Sequence, residues 1–487
     1  MIATPDERAP GDMVLAERAL SRAAQSRPVP GNRVELLFDG PEVFPAMLGL
    51  IESATSWVHF ENYIIRSDET GWRFVDALVE AARRGVRVSV LYDWLGCVGT
   101  SRRLWRQLRQ HGVAVRAFNP PRVLDVVANI TRDHRKLVVA DGSSAVIGGV
   151  CIGNEWAGNA AAGVNPWRDT AVEIHGPAAA VLDQSFAAIW HRAGGLIPPD
   201  ERATDIPRMG NVVVQVVAGQ PGRGRIFRIL DLLAAGSSER MWITDAYLVA
   251  PRRLLYALRN AAREGVDVRL LVPSTSDVKW VRNLTRIGYR DLLRSGVRIY
   301  EWRGGMLHAK TQVADGRWSR IGSSNLNAAS LLGNYELDIL IDDHDITEAL
   351  ENQFRRDISH SAEIVLAPKP ELVRQRRPPG WPARLAEHPP KSPPGRHKIS
   401  LRERRRRVVL TARTLANGAR RSTFLPISVG LILLAGLFLA VPRVMGYIFG
   451  ILLVWLAIGA WMEAFRRRGP DAGTTGQGVS TKPGHGT

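Results

Sequence analysis

The chain has 487 residues, 45% of them hydrophobic and 23% charged. That composition excludes a disordered chain, and the length predicts two or three structural units. Two cysteines, Cys97 and Cys151, exclude a disulfide framework or a cysteine-rich zinc site and fit a reducing compartment. The net charge of +18 favours anionic partners, either nucleic acid or an anionic lipid surface, although general arginine bias accounts for part of it.

Residues 1–32 contain no continuous apolar run, so they read as a loose arm or short helix and not as a secretory signal. The chain then repeats itself. Residues 74–94 (FVDALVEAARRGVRVSVLYDW) and 254–274 (LLYALRNAAREGVDVRLLVPS) each predict an amphipathic helix, a terminating glycine and a β-branched strand. Each is preceded by a strand with an acidic residue and a tyrosine near its end: Glu61 and Tyr63 in one case, Asp245 and Tyr247 in the other. Each is followed by a helix and a second strand opening on Gly-Val, at residues 112–113 and 296–297. The order strand, helix, strand, helix, strand, strand predicts two similar α/β domains with mixed sheets flanked by helices, spanning 33–200 and 201–367. Their junction is expected within the Pro-, Gly- and charge-rich segment 193–211.

Residues 368–422 are rich in proline and arginine and predict an extended basic linker. Two apolar stretches follow, Phe424–Val441 and Val444–Met462, separated by Pro442 and Arg443. As one helix they would reach about 58 Å, against a bilayer core of roughly 30 Å, so 423–465 is expected to form a transmembrane helical hairpin. Basic residues outside both ends place both ends in the cytoplasm. Residues 466–487 read as a disordered tail.

Only seven residues are lysine, yet two of them share one setting. RDHRKLVVADG (132–142) and LHAKTQVADG (307–316) both carry His-x-Lys followed five residues on by Asp-Gly. Read as strands, they put His134 with Lys136, and His308 with Lys310, on one face, and Asp141 and Asp315 in hairpin turns. Two histidines and two lysines converging on one anion suit phosphodiester chemistry. One imidazole attacks phosphorus, and the other, protonated, serves the leaving and entering alcohols. The lysines neutralise the non-bridging oxygens. No metal and no cofactor are expected, since no metal-ligand motif appears.

The paired segments resemble the H-K-D motifs of the phospholipase D superfamily. With GSSNLNAASLLGNYELDI, WRDTAVEIHGPA and MLHAK, the resemblance over about residues 33–366 is strongest to bacterial cardiolipin synthases. It implies an active site at the interface of two phospholipase-D-like domains, with His134 as nucleophile through a phosphohistidine and His308 as acid/base. It also implies that an acidic residue downstream of each motif, Asp169 and Glu336, orients an imidazole. Asn325 matches a family position that holds phosphate, with Ser323 beside it. The equivalent place in the first half holds Cys151, which Asn154 would have to compensate. Asp141 and Asp315 read as turn braces.

The implied function is phosphatidyl transfer between phospholipids, phosphatidylglycerol foremost, at the cytoplasmic face of a bacterial inner membrane. Phospholipid substrates and an anionic membrane surface are the expected partners, and nucleic acid is not. The alternatives are a hydrolase yielding phosphatidic acid, a nuclease-type phosphodiesterase of the same superfamily, and a non-catalytic membrane scaffold. Weaker signals read as packing or flexible turns: the tryptophans at 94, 105, 280 and 302, and GQPGRGR at 219–225.

Overall fold

The computed structural model describes residues 10–121, 131–275, 285–366, 408–410 and 455. The expected apolar hairpin, most of the basic linker and the tail therefore lie outside the described residues, and among the described residues no helix is long and apolar enough to cross a membrane. The elements below belong to one compact unit.

The first half runs α1 (Pro10–Ala24), β1 (Val29–Phe38), α2 (Asp39–Ser53), β2 (Trp57–Asn62), α3 (Glu69–Arg83), β3 (Arg87–Asp93), α4 (Arg102–Gln110), β4 (Ala114–Phe118), β5 (Leu137–Ala140), β6 (Ser144–Gly148), α5 (Asn154–Ala157), β7 (Thr170–His175) and α6 (Pro177–Arg192). The second runs β8 (Val212–Gly219), α7 (Arg225–Gly236), β9 (Arg240–Thr244), α8 (Arg252–Arg263), β10 (Asp267–Pro273), α9 (Tyr289–Arg294), β11 (Arg298–Trp302), β12 (Thr311–Ala314), β13 (Trp318–Gly322), β14 (Glu336–Asp342), α10 (His344–Ser359) and β15 (Ser361–Leu366), with a short β16 (Val408–Leu410) at the edge.

The strands form one sheet in the order β16-β15-β11-β10-β9-β12-β13-β14-β8-β1-β7-β6-β5-β2-β3-β4. From its centre outward, β1-β7-β6-β5-β2-β3-β4 is repeated by β8-β14-β13-β12-β9-β10-β11. The sequence repeat is thus a topological repeat, joined where β1 pairs antiparallel with β8. In each half a parallel run (β2-β3-β4, β9-β10-β11) meets an antiparallel run, which makes both sheets mixed, as expected.

Alternation along β2 shows how the layers arise. Val58 and Phe60 face an apolar layer with Val43, Phe44 and Met47 of α2 and Phe74 and Leu78 of α3. His59 and Glu61 point the other way, and both are fully buried, so each needs a charged partner. Leu137, Val139, Leu337 and Ile339, from both halves, share an inner core with Leu182 and Phe186 of α6 and Phe354 of α10. α1 is not a loose arm: Leu20 and Ala24 pack against Ile229 and Leu233 of α7 in the second half. Segment 193–211 carries only a single 3-10 turn, and Glu201 in that turn is buried against His59.

One sequence expectation needs correction. The His-x-Lys segments are not within strands. β5 and β12 begin one residue after each lysine, at Leu137 and Thr311. The physical reason is that the backbone of each lead pairs elsewhere, as described below.

At the far end of each strand the Asp-Gly turn forms as expected. The Asp141 carboxylate accepts from the amides of Thr55, Ser56 and Trp57 and from the Thr55 hydroxyl. Asp315 repeats this with Ser238, Glu239 and Arg240. Burial works to raise the Asp141 carboxyl, but these donors outweigh it and hold it below the ordinary carboxylate value. Its stabilisation is therefore present above that ordinary value and is lost as pH falls through the lowered one. D141N, which keeps a side chain tolerant of the left-handed backbone here (φ 52°), is expected to cost about 1–3 kcal/mol at pH 7. Thermal unfolding of both proteins should show that gap, and the gap should shrink as the pH is taken below 4.

Candidate active site

Each His-x-Lys lead is held by the other half of the chain. The His134 amide donates to the Tyr335 carbonyl (2.9 Å), and the Tyr335 amide donates to the Arg132 carbonyl (2.9 Å). In mirror fashion the His308 amide donates to the Arg168 carbonyl (2.7 Å), and the Arg168 amide to the Met306 carbonyl (2.9 Å). Residues 335 and 168 immediately precede Glu336 and Asp169. These bonds take the backbone groups that a continued β5 or β12 would have used, and they carry each carboxylate across to the opposite histidine.

The side chains follow. His134 Nδ1 lies 3.0 Å from Glu336 Oε2 and 3.1 Å from the Ser323 carbonyl. His308 Nδ1 lies 2.6 Å from Asp169 Oδ2. His134 Nδ1 meets two acceptors and so carries the proton, leaving the lone pair on Nε2, whereas His308 Nδ1 lies between the Asp169 carboxylate and Lys310 Nζ (2.9 Å). No described residue bonds either Nε2. Each half therefore provides one imidazole and the carboxylate for the other half's imidazole.

Two ammonium groups complete the cluster. Lys136 Nζ donates to the His134 carbonyl and lies 5.1 Å from the Tyr63 ring centroid. Lys310 Nζ donates to the His308 carbonyl. Burial lowers the Lys310 ammonium first, and Lys136 adds to this against Asp169 and Asp245, bringing it down to about 8. Burial and Lys310 take the His308 ring to about 4 against the pull of Asp169. Burial also lowers His134. Glu336 pulls it up, and Lys136 and Lys310 push it down, so that it ends below its ordinary value. Burial would raise Asp169, but Lys310, His308 and the Thr170 amide outweigh it and hold it at about 2. The site thus joins two neutral imidazoles and two carboxylates with two lysine side chains, and the lysines can meet one phosphodiester anion.

A family profile described as "Cardiolipin synthase, PLD-like domain" matches residues 47–190 and 229–358. The chain belongs to this family. It is 34% identical over 356 residues to cardiolipin synthase A of Pseudomonas entomophila, covering 72% of this chain and 74% of the relative. It is equally similar over 339 residues to a cardiolipin synthase of a Geobacillus species, covering 68% of this chain and 67% of that one. Among solved structures, phosphatidylserine synthase of Haemophilus influenzae aligns with a TM-score of 0.56 at 16% identity, over 72% of this chain and 92% of that one, which shows a shared fold.

Within this cardiolipin synthase framework the remaining expected residues take distinct places. Ser323 does not face the open site through its hydroxyl: Oγ donates to Glu336 Oε2 (2.6 Å) and accepts from the Leu337 amide (2.9 Å). Ser330, which sequence reasoning missed, donates to Glu336 Oε1 (2.5 Å) and accepts from the Asn325 amide (2.9 Å). Asn325 is buried, and among the described residues its Oδ1 has no hydrogen-bond partner. Asn154 Oδ1 is engaged by the amide and hydroxyl of Thr70 at the start of α3, so that atom does not stand in for the missing first-half asparagine. Cys151 is fully buried, and burial raises its thiol, which stays neutral. Asp141 and Asp315 sit at the opposite strand ends from the histidines.

The acid–tyrosine pairs divide. Glu61 is a core residue, bonded to buried Arg135 (2.6 Å), the x of the first His-x-Lys. Tyr63 meets the His134 ring edge-on at 4.8 Å, and Tyr247 meets His308 at 6.0 Å. Sequence reasoning also missed Trp156 and Trp167, which flank His308 at 5.6 and 5.7 Å. Trp156 Nε1 further donates to Asp169 Oδ2 (3.3 Å). Counting from Cys151 and Asn325, Trp156 is matched by Ser330, and counting back from Asp169 and Glu336, Trp167 is matched by Asn334, so the tryptophans do not recur and no repeated residue pointed to them. Arg168 is buried and anchored by Asp357 of α10 (3.0 and 3.1 Å), which fixes the segment carrying Asp169. Gly149 is required here: a Cβ would lie 2.2 Å from Asp169 Oδ1.

Two outcomes are expected. D169N and E336Q should each lower kcat by roughly 10²–10⁴-fold, because an amide can stabilise the wrong tautomer. The crossed pairing makes D169N resemble H308A, and E336Q resemble H134A, when a covalent phosphatidyl-enzyme is looked for after a quench in denaturant at neutral pH, where a P–N bond survives. Separately, kcat/KM should fall as pH rises through about 8, because Lys310 is charged below that value and neutral above it. K310R, whose guanidinium stays charged, should move that fall to higher pH.

Proposed function

We propose that this chain is a membrane-bound phosphatidyltransferase that makes cardiolipin from two phosphatidylglycerol molecules, using His134 as nucleophile and His308 as acid/base. The observation that carries this reading is the pair of imidazoles, each held at Nδ1 by a carboxylate from the other half and with an Nε2 that no described residue bonds, set beside two lysines. His134 Nε2 attacks phosphorus and forms an N–P bond. The P–O bond to the headgroup glycerol breaks, and that oxygen takes a proton from His308 Nε2. The headgroup hydroxyl of a second phosphatidylglycerol then returns a proton to His308 Nε2. Its oxygen attacks phosphorus and the N–P bond breaks, so the balance is cardiolipin plus glycerol.

His308 must hold a proton on Nε2 for the first step, yet in the empty site burial and Lys310 keep it neutral. An entering phosphodiester supplies negative charge beside Lys136 and Lys310 and so raises the ring. Substrate arrival thereby charges the acid, while Lys136, Lys310 and Asn325 hold the phosphoryl oxygens. The apolar segment 423–465 is read as a helical hairpin in a bacterial inner membrane, after the basic linker 368–422. The two repeated domains, 33–200 and 201–367, are placed on the cytoplasmic side by the flanking arginines. Residues 466–487 follow as a tail.

The test uses purified full-length protein in mixed micelles of phosphatidylglycerol, with H134A and H308A alongside and lipid products separated by mass. Cardiolipin and free glycerol in equal amounts, lost in both variants, are expected. Phosphatidic acid as the sole product would replace transfer by hydrolysis.

A further inference from the structure

Loop 94–100 stands between β3 and α4, and its inward side is fastened at every turn. Asp93 Oδ1 accepts from the amides of Leu95 (2.9 Å) and Gly96 (3.0 Å), while Oδ2 accepts from the amide of Asp133 (3.0 Å), the neighbour of His134. The Ile65 amide donates to Cys97 Sγ (3.3 Å), and Thr100 Oγ1 donates to the Ile65 carbonyl (2.5 Å). Gly96 lies so close to Tyr63 that a Cβ would meet its carbonyl oxygen at 2.0 Å. Tyr63 in turn touches the His134 ring. The loop is therefore a fixed part of the rim of the site.

Its outward side is apolar. Leu95 is 48% exposed and Val98 65%. Val164, in the loop that leads to Trp167 beside His308, is 54% exposed. A chain this tightly bonded does not expose Leu and Val through slackness, and apolar side chains held out around a site mouth mark an interaction surface. The next element supplies a charge. α4 buries Leu104, Trp105 and Leu108 and leaves Arg102, Arg103 and Arg106 exposed, with no acidic residue in its sequence. Apolar wedge and basic collar together match the acyl boundary and headgroups of an anionic bilayer.

Resting on the phospholipid reading above, we infer that loop 94–100, Val164 and the arginine face of α4 form a docking surface that seats the catalytic mouth directly on an anionic bilayer. Leu95 and Val98 enter below the headgroups, and Arg102, Arg103 and Arg106 lie among the phosphates. The lipid headgroup then reaches His134 and His308 without leaving the interface, independently of the anchor in 423–465.

The test uses full-length protein reconstituted into phosphatidylglycerol/phosphatidylcholine vesicles. V98C is labelled with an environment-sensitive fluorophore, since Cys97 and Cys151 are both buried. R83C, at the end of α3 just before β3 and so at the other end of that strand from loop 94–100, is the control. A blue shift at position 98 that grows with the phosphatidylglycerol fraction and is absent at 83 is expected. In parallel, L95S/V98S should lower the rate on bilayers about tenfold while leaving the rate on monomeric short-chain phosphatidylglycerol within about twofold. R102Q/R103Q/R106Q should weaken the dependence on anionic lipid. An aqueous spectrum at position 98 at every lipid composition, or equal loss of rate on both substrates, overturns the proposal. The fluorescence needs no turnover, so an enzyme that makes no cardiolipin would sink the transfer reading and still leave the docking surface decided.

Discussion

The structure depends on one exchange: each half of the chain lends a carboxylate to the other half's histidine. Glu336 reaches His134 at 3.0 Å and Asp169 reaches His308 at 2.6 Å. The exchange is built first in the backbone, through the bonds of His134 to Tyr335 and of His308 to Arg168. A side-chain pair alone would leave the ring free to turn. With the main chain pinned on both sides, each ring is held against its carboxylate. Neither half can form a complete imidazole–carboxylate pair by itself, so the central β1–β8 pairing and the shared inner core are conditions of the chemistry as well as of the fold.

The electrostatics follow from that arrangement. Burial lowers His134, His308 and Lys310, and repulsion from the neighbouring lysines adds to it, against the pull of Glu336 and Asp169. An anionic phosphodiester relieves that repulsion. In the proposed reaction, substrate binding and protonation of His308 draw on the same charge.

The two halves are not equivalent in detail. Lys136 stands over Tyr63, whereas Lys310 lies 2.9 Å from His308 Nδ1, under tryptophan cover. Asn325 is buried with an oxygen unpartnered among the described residues, whereas its counterpart is the neutral thiol of Cys151. A near-symmetric frame with unequal linings suits a reaction whose two histidines have different work to do.

Much of this was legible in the sequence. The repeat of helix, glycine and strand exposed the doubled topology, because periodicity and glycine punctuation are local properties. The His-x-Lys spacing named four site residues, and the Asp-Gly pairs named two turns, since a short segment determines which side chains share a face. The crossing of the carboxylates, the ending of β5 and β12 after the lysines, Ser330 closing on Glu336, and Trp156 beside His308 were decided only by tertiary structure. Apart from the Ser330–Glu336 bond, which spans six residues, these depend on contacts between segments some 140 to 200 residues apart, as in the pairing of 169 with 308 and of 134 with 336. Local pattern carries no information about which of two similar partners a strand end will meet; the packing of the two halves around one core makes that choice.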